Sequence, residues 1–190
     1  MNKLKQCAVA ILSLSVSAVA LADSPRLMKF ATSLSGGEQV RTAQIDGANG
    51  TIVTIPIGPL VTGAYGNARF MLSADKSKLK YKLEATGFGT PLFMAHIHLG
   101  PKGANGPVMF WLFGDQSNAG FPLPRDDGPF NGFISGELTA ADLAPNSALG
   151  INNFEDAVAN ILNGNTYLNL HTTANPPGEI RGQIGRKHRH

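Results

Sequence analysis

Cysteine is nearly absent: the one cysteine among 190 residues is Cys7. It lies in an apolar run from Cys7 to Leu21 that follows Lys3 and Lys5 and ends in Ala20-Leu21-Ala22. A charged start, a short apolar stretch and a small-residue cleavage site mark a secretory signal peptide, predicted over residues 1–22. Cys7 leaves with it, too early in the run to be the lipid-bearing cysteine of a lipoprotein. The rest of the chain can then form neither a disulfide nor a thiolate metal site, so a metal would need nitrogen, oxygen or thioether ligands. An exported domain without disulfides relies on its hydrophobic core, and this chain is long enough to bury one.

Other absences narrow the function further. No later run is long and apolar enough to span a membrane. The expectation is a soluble exported protein, periplasmic or secreted, with one domain over residues 23–185 and a basic histidine-containing tail over 186–190. The net charge of +3 comes from 16 Lys+Arg against 13 Asp+Glu. Without Lys3 and Lys5 the count is 14 against 13, and without Arg186, Lys187 and Arg189 it is 11 against 13, a body at about −2. That balance, with no helix-turn-helix, zinc-finger or RNA-recognition pattern, argues against a nucleic-acid partner. No Ser-His-Asp spacing, phosphate-cradling glycine loop or paired carboxylates appear, so no catalytic residue is assigned and an enzyme is not expected.

What the sequence does have is alternation. Met28 to Leu34 reads as a strand ending in the turn Ser35-Gly36-Gly37-Glu38, and Thr51 to Ile57 is rich in β-branched residues, with Pro56 and Pro59 near its end. From Gly66, residues Ala68, Phe70 and Leu72 alternate with Asn67, Arg69 and Met71. Next, Leu79, Tyr81, Leu83 and Ala85 alternate with Lys78, Lys80, Lys82 and Glu84. The two runs predict an antiparallel hairpin with one wet face, its lysine row suited to guarding a sheet edge. In Pro107 to Phe113 both parities are apolar, which predicts a central or covered strand, with Trp111 and its phenylalanine neighbours in the core. Asp115 to Asn131 is the longest irregular segment, and Gly132 to Leu138 is a further strand. Thr139 and Asp142 frame a short helical turn. A helix follows over about Phe154 to Leu162, capped by Asn152 or Asn153 and stopped by Gly164, with Phe154, Val158 and Ile161 as its apolar stripe. The fold class is all-β, an antiparallel sandwich of immunoglobulin-like or superoxide-dismutase-like Greek-key type with one or two short helices.

The chemistry-bearing stretch is Leu92 to Gly103. His96 and His98 stand at i and i+2 and so project from one face, Met94 shares their parity, and Phe93, Ala95, Ile97 and Leu99 face the core. In Thr166 to Thr172 the inward residues are Leu168 and Leu170, leaving Tyr167, Asn169 and His171 opposite. Beyond Asn175-Pro176-Pro177-Gly178, Ile180 and Ile184 point inward and Glu179, Arg181 and Gln183 outward. If these strands are neighbours, His96, His98, Asn169, His171, Glu179 and Arg181 form one polar cluster.

These motifs resemble the CHRD domain family, named from chordin. The likeness rests on Leu34-Ser-Gly-Gly-Glu38, Ala95-His-Ile-His-Leu-Gly-Pro-Lys-Gly103 with Asn105-Gly-Pro-Val108, Gly136-Glu-Leu-Thr-Ala-Ala-Asp-Leu143, Tyr167-Leu-Asn-Leu-His-Thr172 and Pro177-Gly-Glu-Ile-Arg-Gly-Gln183. It covers about residues 28 to 185 and departs at Gln39-Val40-Arg41, where the family usually has Pro-Pro after the Glu. The resemblance implies a β-sandwich and carries over no established enzymatic activity. A weaker analogy of arrangement links the His-x-His strand to copper,zinc superoxide dismutase, without that protein's dense zinc loop or its disulfide.

Two readings of the histidines stand side by side. In one, His96, His98 and His171 hold copper or zinc, Met94 adds a thioether, and Asn169 or Glu179 orients a ring. In the other, His96 and His171 hydrogen-bond Glu179 and Arg181 in a structural network that staples the three strands together, within a domain that engages an extracytoplasmic protein or polymer, with residues 115–131 as the contact loop. A metal-dependent redox enzyme of the superoxide-dismutase kind is the third possibility. The tail, with His188 and His190, reads as a solvated end.

Overall fold

A computed structural model describes residues 27–47, 49, 51–114 and 128–186. The predicted signal peptide, most of the 115–131 loop and all but the first residue of the tail lie outside the described residues.

The alternating stretches become strands, and antiparallel pairing accounts for all of them. In chain order they are β1 (Met28–Ser35), β2 (Arg41–Asp46), β3 (Ile52–Ile57), β4 (Tyr65–Leu72), β5 (Leu79–Thr86), β6 (Leu92–Leu99), β7 (Val108–Phe113), β8 (Gly132–Leu138), β9 (Thr166–Thr172), β10 (Ile180–Gln183) and β11 (Gly185–Arg186). Nine of them form one sheet in the order β7-β6-β9-β10-β1-β4-β5-β8, with β11 beside β1. The sheet curls until its ends meet: the bridge Phe110↔Leu143 and the bond from Ala144 N–H to Met109 O at 2.9 Å join β7 to the chain just past β8. The all-β expectation holds, and the two halves of the sandwich belong to one nearly closed, barrel-like sheet.

Period-two burial follows the sequence where strands are regular. In β4 and β5, Ala68, Phe70, Leu72, Leu79, Leu83 and Ala85 are buried, while Asn67, Arg69, Lys80, Lys82 and Glu84 are exposed. The lysine row does not guard an edge, however. β8 pairs with β5 from Leu79 to Ala85, and its Glu137 carboxylate meets Lys78 at 2.8 Å and Lys80 at 3.9 Å. β7 is likewise terminal in the hydrogen-bonded order and not central; the curl of the sheet covers it.

Helix α1 (Phe154–Leu162) forms where its signals predict. Asn153 and Asp156 make a reciprocal capping box, Phe154, Ala157, Val158 and Ile161 are buried, and Gly164 ends the helix at φ 72°. Thr139 and Asp142 cap the 3-10 turn Ala140–Asp142 in the same way. The strands β2 and β3 form a separate two-stranded sheet. That hairpin leaves Ile45, Ile52 and Val53 exposed, and β2, with a single large aliphatic residue in Arg-Thr-Ala-Gln-Ile-Asp, carries no periodic signal that predicts a strand.

The β4–β5 turn is tied by Asp75, which accepts from Ser73 Oγ at 2.6 Å and from Ser77 Oγ at 2.8 Å and N–H at 3.1 Å; these bonds, Ser73 first, hold its carboxyl down at about 2. The next residue, Lys76, sits at φ 59°, a conformation that disfavours any side chain with a Cβ. We expect Lys76→Gly to raise the unfolding free energy by up to about 1 kcal/mol in urea titrations. A lower midpoint would show that the Lys76 side chain contributes more than its backbone strain removes.

Candidate metal centre

The strands that carry the histidines are adjacent. In β6 and β9, Met94 stands across from His171, His96 from Asn169 and His98 from Tyr167; in β9 and β10, Asn169 stands across from Arg181. All seven residues of β9 are buried. Leu168 and Leu170 join the hydrophobic core, while Tyr167, Asn169 and His171 face away from it under a roof of turns.

Those turns are held down by specific bonds. Gln39 Nε2 donates to Asn169 Oδ1 at 2.6 Å, and Asn169 Nδ2 donates to Pro177 O at 3.3 Å. Arg181 donates to Asn105 Oδ1, Ala104 O and Pro101 O at 3.0, 2.7 and 3.4 Å, clamping the loop that follows β6. Glu179 accepts from Thr62 Oγ1 at 2.6 Å, from Asn175 Nδ2 at 3.1 Å and from Thr172 Oγ1.

Under this roof His96, His98 and His171 meet. Their ligand nitrogens all lie within 4.8 Å of one another, and all three side chains are buried. His98 Nδ1 is 2.9 Å from Gly106 O, and His171 Nδ1 is 2.8 Å from Pro176 O. A carbonyl only accepts, so both Nδ1 atoms carry the hydrogen and both Nε2 atoms present a bare lone pair. His98 Nε2, His171 Nε2 and both nitrogens of His96 are buried without a hydrogen-bond partner. Glycine is required at the two anchoring turns. A Cβ at Gly106 would strike the Leu99 carbonyl, and one at Gly178, where φ is 129°, would strike the Asn169 amide.

Aromatic rings complete the pocket. Trp111, half-buried on β7, stands across from His96 with ring centroids 4.0 Å apart. Tyr167 stacks on His98 at 4.8 Å and 6°, and the Arg181 guanidinium carbon sits 3.4 Å from the centre of the Tyr167 ring. Burial drives the rings to the neutral form. His96 is lowered to about 2, by desolvation and then by His171 and His98. His98 is lowered to about 4, again by desolvation first, with its Gly106 bond opposing and His171 and Arg181 assisting. His171 is lowered by desolvation against its Pro176 bond. Neutral rings with bare nitrogens are the form that ligates a metal.

Several sequence expectations are corrected here. Neither Glu179 nor Arg181 bonds a histidine nitrogen, and neither Asn169 nor Glu179 orients a ring; backbone carbonyls do so at His98 and His171. Register shifts in β6, one of them between Leu92 and Met94, break the alternation: Leu92 joins the core and Phe93 instead lies 6.4 Å from the His171 ring. Trp111 belongs to the histidine pocket and is not part of the core. Met94 is half-buried beside the cluster, opposite His171. The sequence reading missed Trp111, the Tyr167–Arg181 stack and the two carbonyl anchors. Tyr167 had the right parity, and Gly106 and Pro177 lay within quoted motifs, but the loop paths carried no signal.

The fold and the site define an all-β domain with a buried three-histidine pocket on the far side of its sheet from the core. A family model for the CHRD domain matches residues 30–184, and the chain belongs to that family. No curated protein and no solved structure matches the chain.

A pocket of unpartnered nitrogens should weaken the metal-free protein. An unsatisfied buried polar group costs about 1–3 kcal/mol, so His96→Leu is expected to leave metal-free protein as stable as the parent or more stable by about 1 kcal/mol in urea. A loss of 2 kcal/mol or more would identify His96 as a structural partner. Acid gives an independent check. The folded rings titrate below the ordinary 6.5, so the unfolded chain binds more protons on acidification. Their contribution is intact above pH 6.5 and is lost toward about 4 for His98 and about 2 for His96. Each pH unit in that window removes up to about 1.4 kcal/mol per ring, which unfolding midpoints at pH 7.5 and pH 5 would register; equal midpoints would contradict it.

Proposed function

We propose that this CHRD-domain protein is an exported, noncatalytic metal-binding protein that holds copper or zinc through His96, His98 and His171 for sequestration or handling. The observation that carries this reading is the set of four buried, unpartnered ring nitrogens, with the tautomers of His98 and His171 fixed so that Nε2 is free. Three neutral imidazoles suit copper and zinc. With metal–nitrogen bonds of about 2 Å, nitrogens within 4.8 Å of one another can share one ion once the unanchored His96 ring turns toward the other two. Met94, opposite His171, is a candidate thioether neighbour. The signal peptide predicted over residues 1–22 supports binding in the periplasm or outside the cell.

A second reading, partner recognition, draws on the exposed Ile45, Ile52 and Val53 of the β2–β3 hairpin, since interaction is what the family itself suggests. The two readings are compatible. A dismutase of the copper,zinc kind would need a second ligand cluster, and among the described residues His96, His98 and His171 form the one such group.

Calorimetric titration of metal-stripped protein with copper in both oxidation states and with zinc tests the reading. A His188→Ala/His190→Ala control removes the tail, and a His96→Ala/His98→Ala variant removes the strand site. We expect one ion per chain, retained in the tail control and abolished in the strand variant. At a free ion concentration of 100 Kd the bound ion should add about 2.7 kcal/mol to stability. Binding that disappears with the tail, or no binding, rejects the metal function.

A further inference from the structure

The pocket has ligands but no anion. The group of ligating side chains that come together here contains histidine alone, without aspartate or glutamate. Glu179, the buried carboxylate of the same turn-and-strand unit, is engaged by Thr62, Thr172 and Asn175, and Glu38 pairs with Lys102 at 3.2 Å. A fixed charge of the opposite kind, the buried Arg181 guanidinium, lies one aromatic layer from His98 through Tyr167 and acts on it. Its hydrogen-bond partners are two carbonyl oxygens and an amide oxygen, which carry no charge, and the one carboxylate that acts on it, Glu38, is shared with Lys102.

An ion entering this pocket keeps its full charge, because neutral imidazoles neutralise none of it. The desolvation penalty of an ion in a low-dielectric site rises with the square of its charge, so a dication pays about four times what a monocation pays. Repulsion from Arg181 also doubles for a dication. The surrounding rings of Trp111, Tyr167 and Phe93 offer no carboxylate to a hydrated divalent ion, and Met94, across from His171 in the strand register, carries a soft thioether.

Resting on the metal-binding reading above, we propose that the three-histidine pocket is selective for a soft monovalent cation, Cu(I) or its redox-inert analogue Ag(I), over Zn(II) and Cu(II). Arg181 acts as a positioning and charge-selecting residue: it clamps the loop that anchors His98 and excludes divalent ions by its field.

The test is competition titration of the His188→Ala/His190→Ala protein with Ag(I), Zn(II) and chelator-buffered Cu(I) and Cu(II). We expect the monovalent ions to bind tighter by on the order of a hundredfold or more. A hundredfold preference for Cu(I) raises the copper couple of the loaded protein by about 120 mV over free copper in the same buffer, at 59 mV per tenfold for one electron. Arg181→Met should narrow the Ag(I)/Zn(II) ratio by roughly tenfold, whereas Arg181→Lys, which also loses the fork but keeps the charge, should leave it within a few-fold. Zn(II) or Cu(II) binding as tightly as the monovalent ions, at a site abolished by His96→Ala/His98→Ala, overturns the selectivity and leaves the metal function standing. Absence of binding by all four ions overturns both.

Discussion

The constraint on which the rest of this structure depends is that the β6–β9–β10 sheet is buried on both faces while one of those faces carries histidine. A buried imidazole cannot be left to water, so its N–H calls for an acceptor inside the fold, and two of the three rings find one. The acceptors are backbone carbonyls, Gly106 O for His98 and Pro176 O for His171, and both lie in turns that have to be brought over the sheet and kept there. The roof over the histidines is thus more than a cover. It supplies the hydrogen bonds that decide which ring nitrogen is free.

Two buried charges hold that roof, and they divide the work. Arg181 clamps residues 101–105, the loop that ends at the carbonyl fixing His98. Glu179 holds Asn175 and Thr172, at the turn whose Pro176 carbonyl fixes His171, and ties that turn to Thr62. Attraction alone would pair these opposite charges, which sit two residues apart. A guanidinium needs several acceptors and a carboxylate several donors, however, and each finds a full set within a different turn. Keeping them apart yields two independent clamps, one for each anchored histidine.

Sequence parity located nearly everything that depends on a regular strand. The one-sided alternation of β4 and β5, the inward Leu168 and Leu170 and the shared face of His96, His98 and His171 were all legible, because side-chain period is a local property. It failed where the local rule fails. Register shifts in β6 send Leu92 to the core and Phe93 to the histidine side, and no residue in that stretch advertises them. The β2–β3 hairpin buries little apolar surface, so β2 has no pattern to read. The hydrogen-bond partners of the rings depend on where two loops travel in space. That is set by tertiary clamps some 80 residues apart in sequence, such as Arg181 to Ala104, and composition does not encode it.

The asymmetry among the three rings bears on how the site would close. His98 and His171 each keep one hydrogen bond to the backbone, so their orientations are set before any ion arrives and little rotational freedom remains to be lost. His96 has no anchor on either nitrogen and rests against Trp111, so either nitrogen is available to turn inward. Two fixed ligands and one adjustable ligand confine the ordering to a single side chain on a rigid strand. In the metal-free protein the same design leaves buried ring nitrogens without hydrogen-bond partners, an arrangement that costs stability. A dative bond to an ion would relieve that conflict, whereas a network built only for stability would have closed it with the Glu179 and Arg181 side chains already at hand.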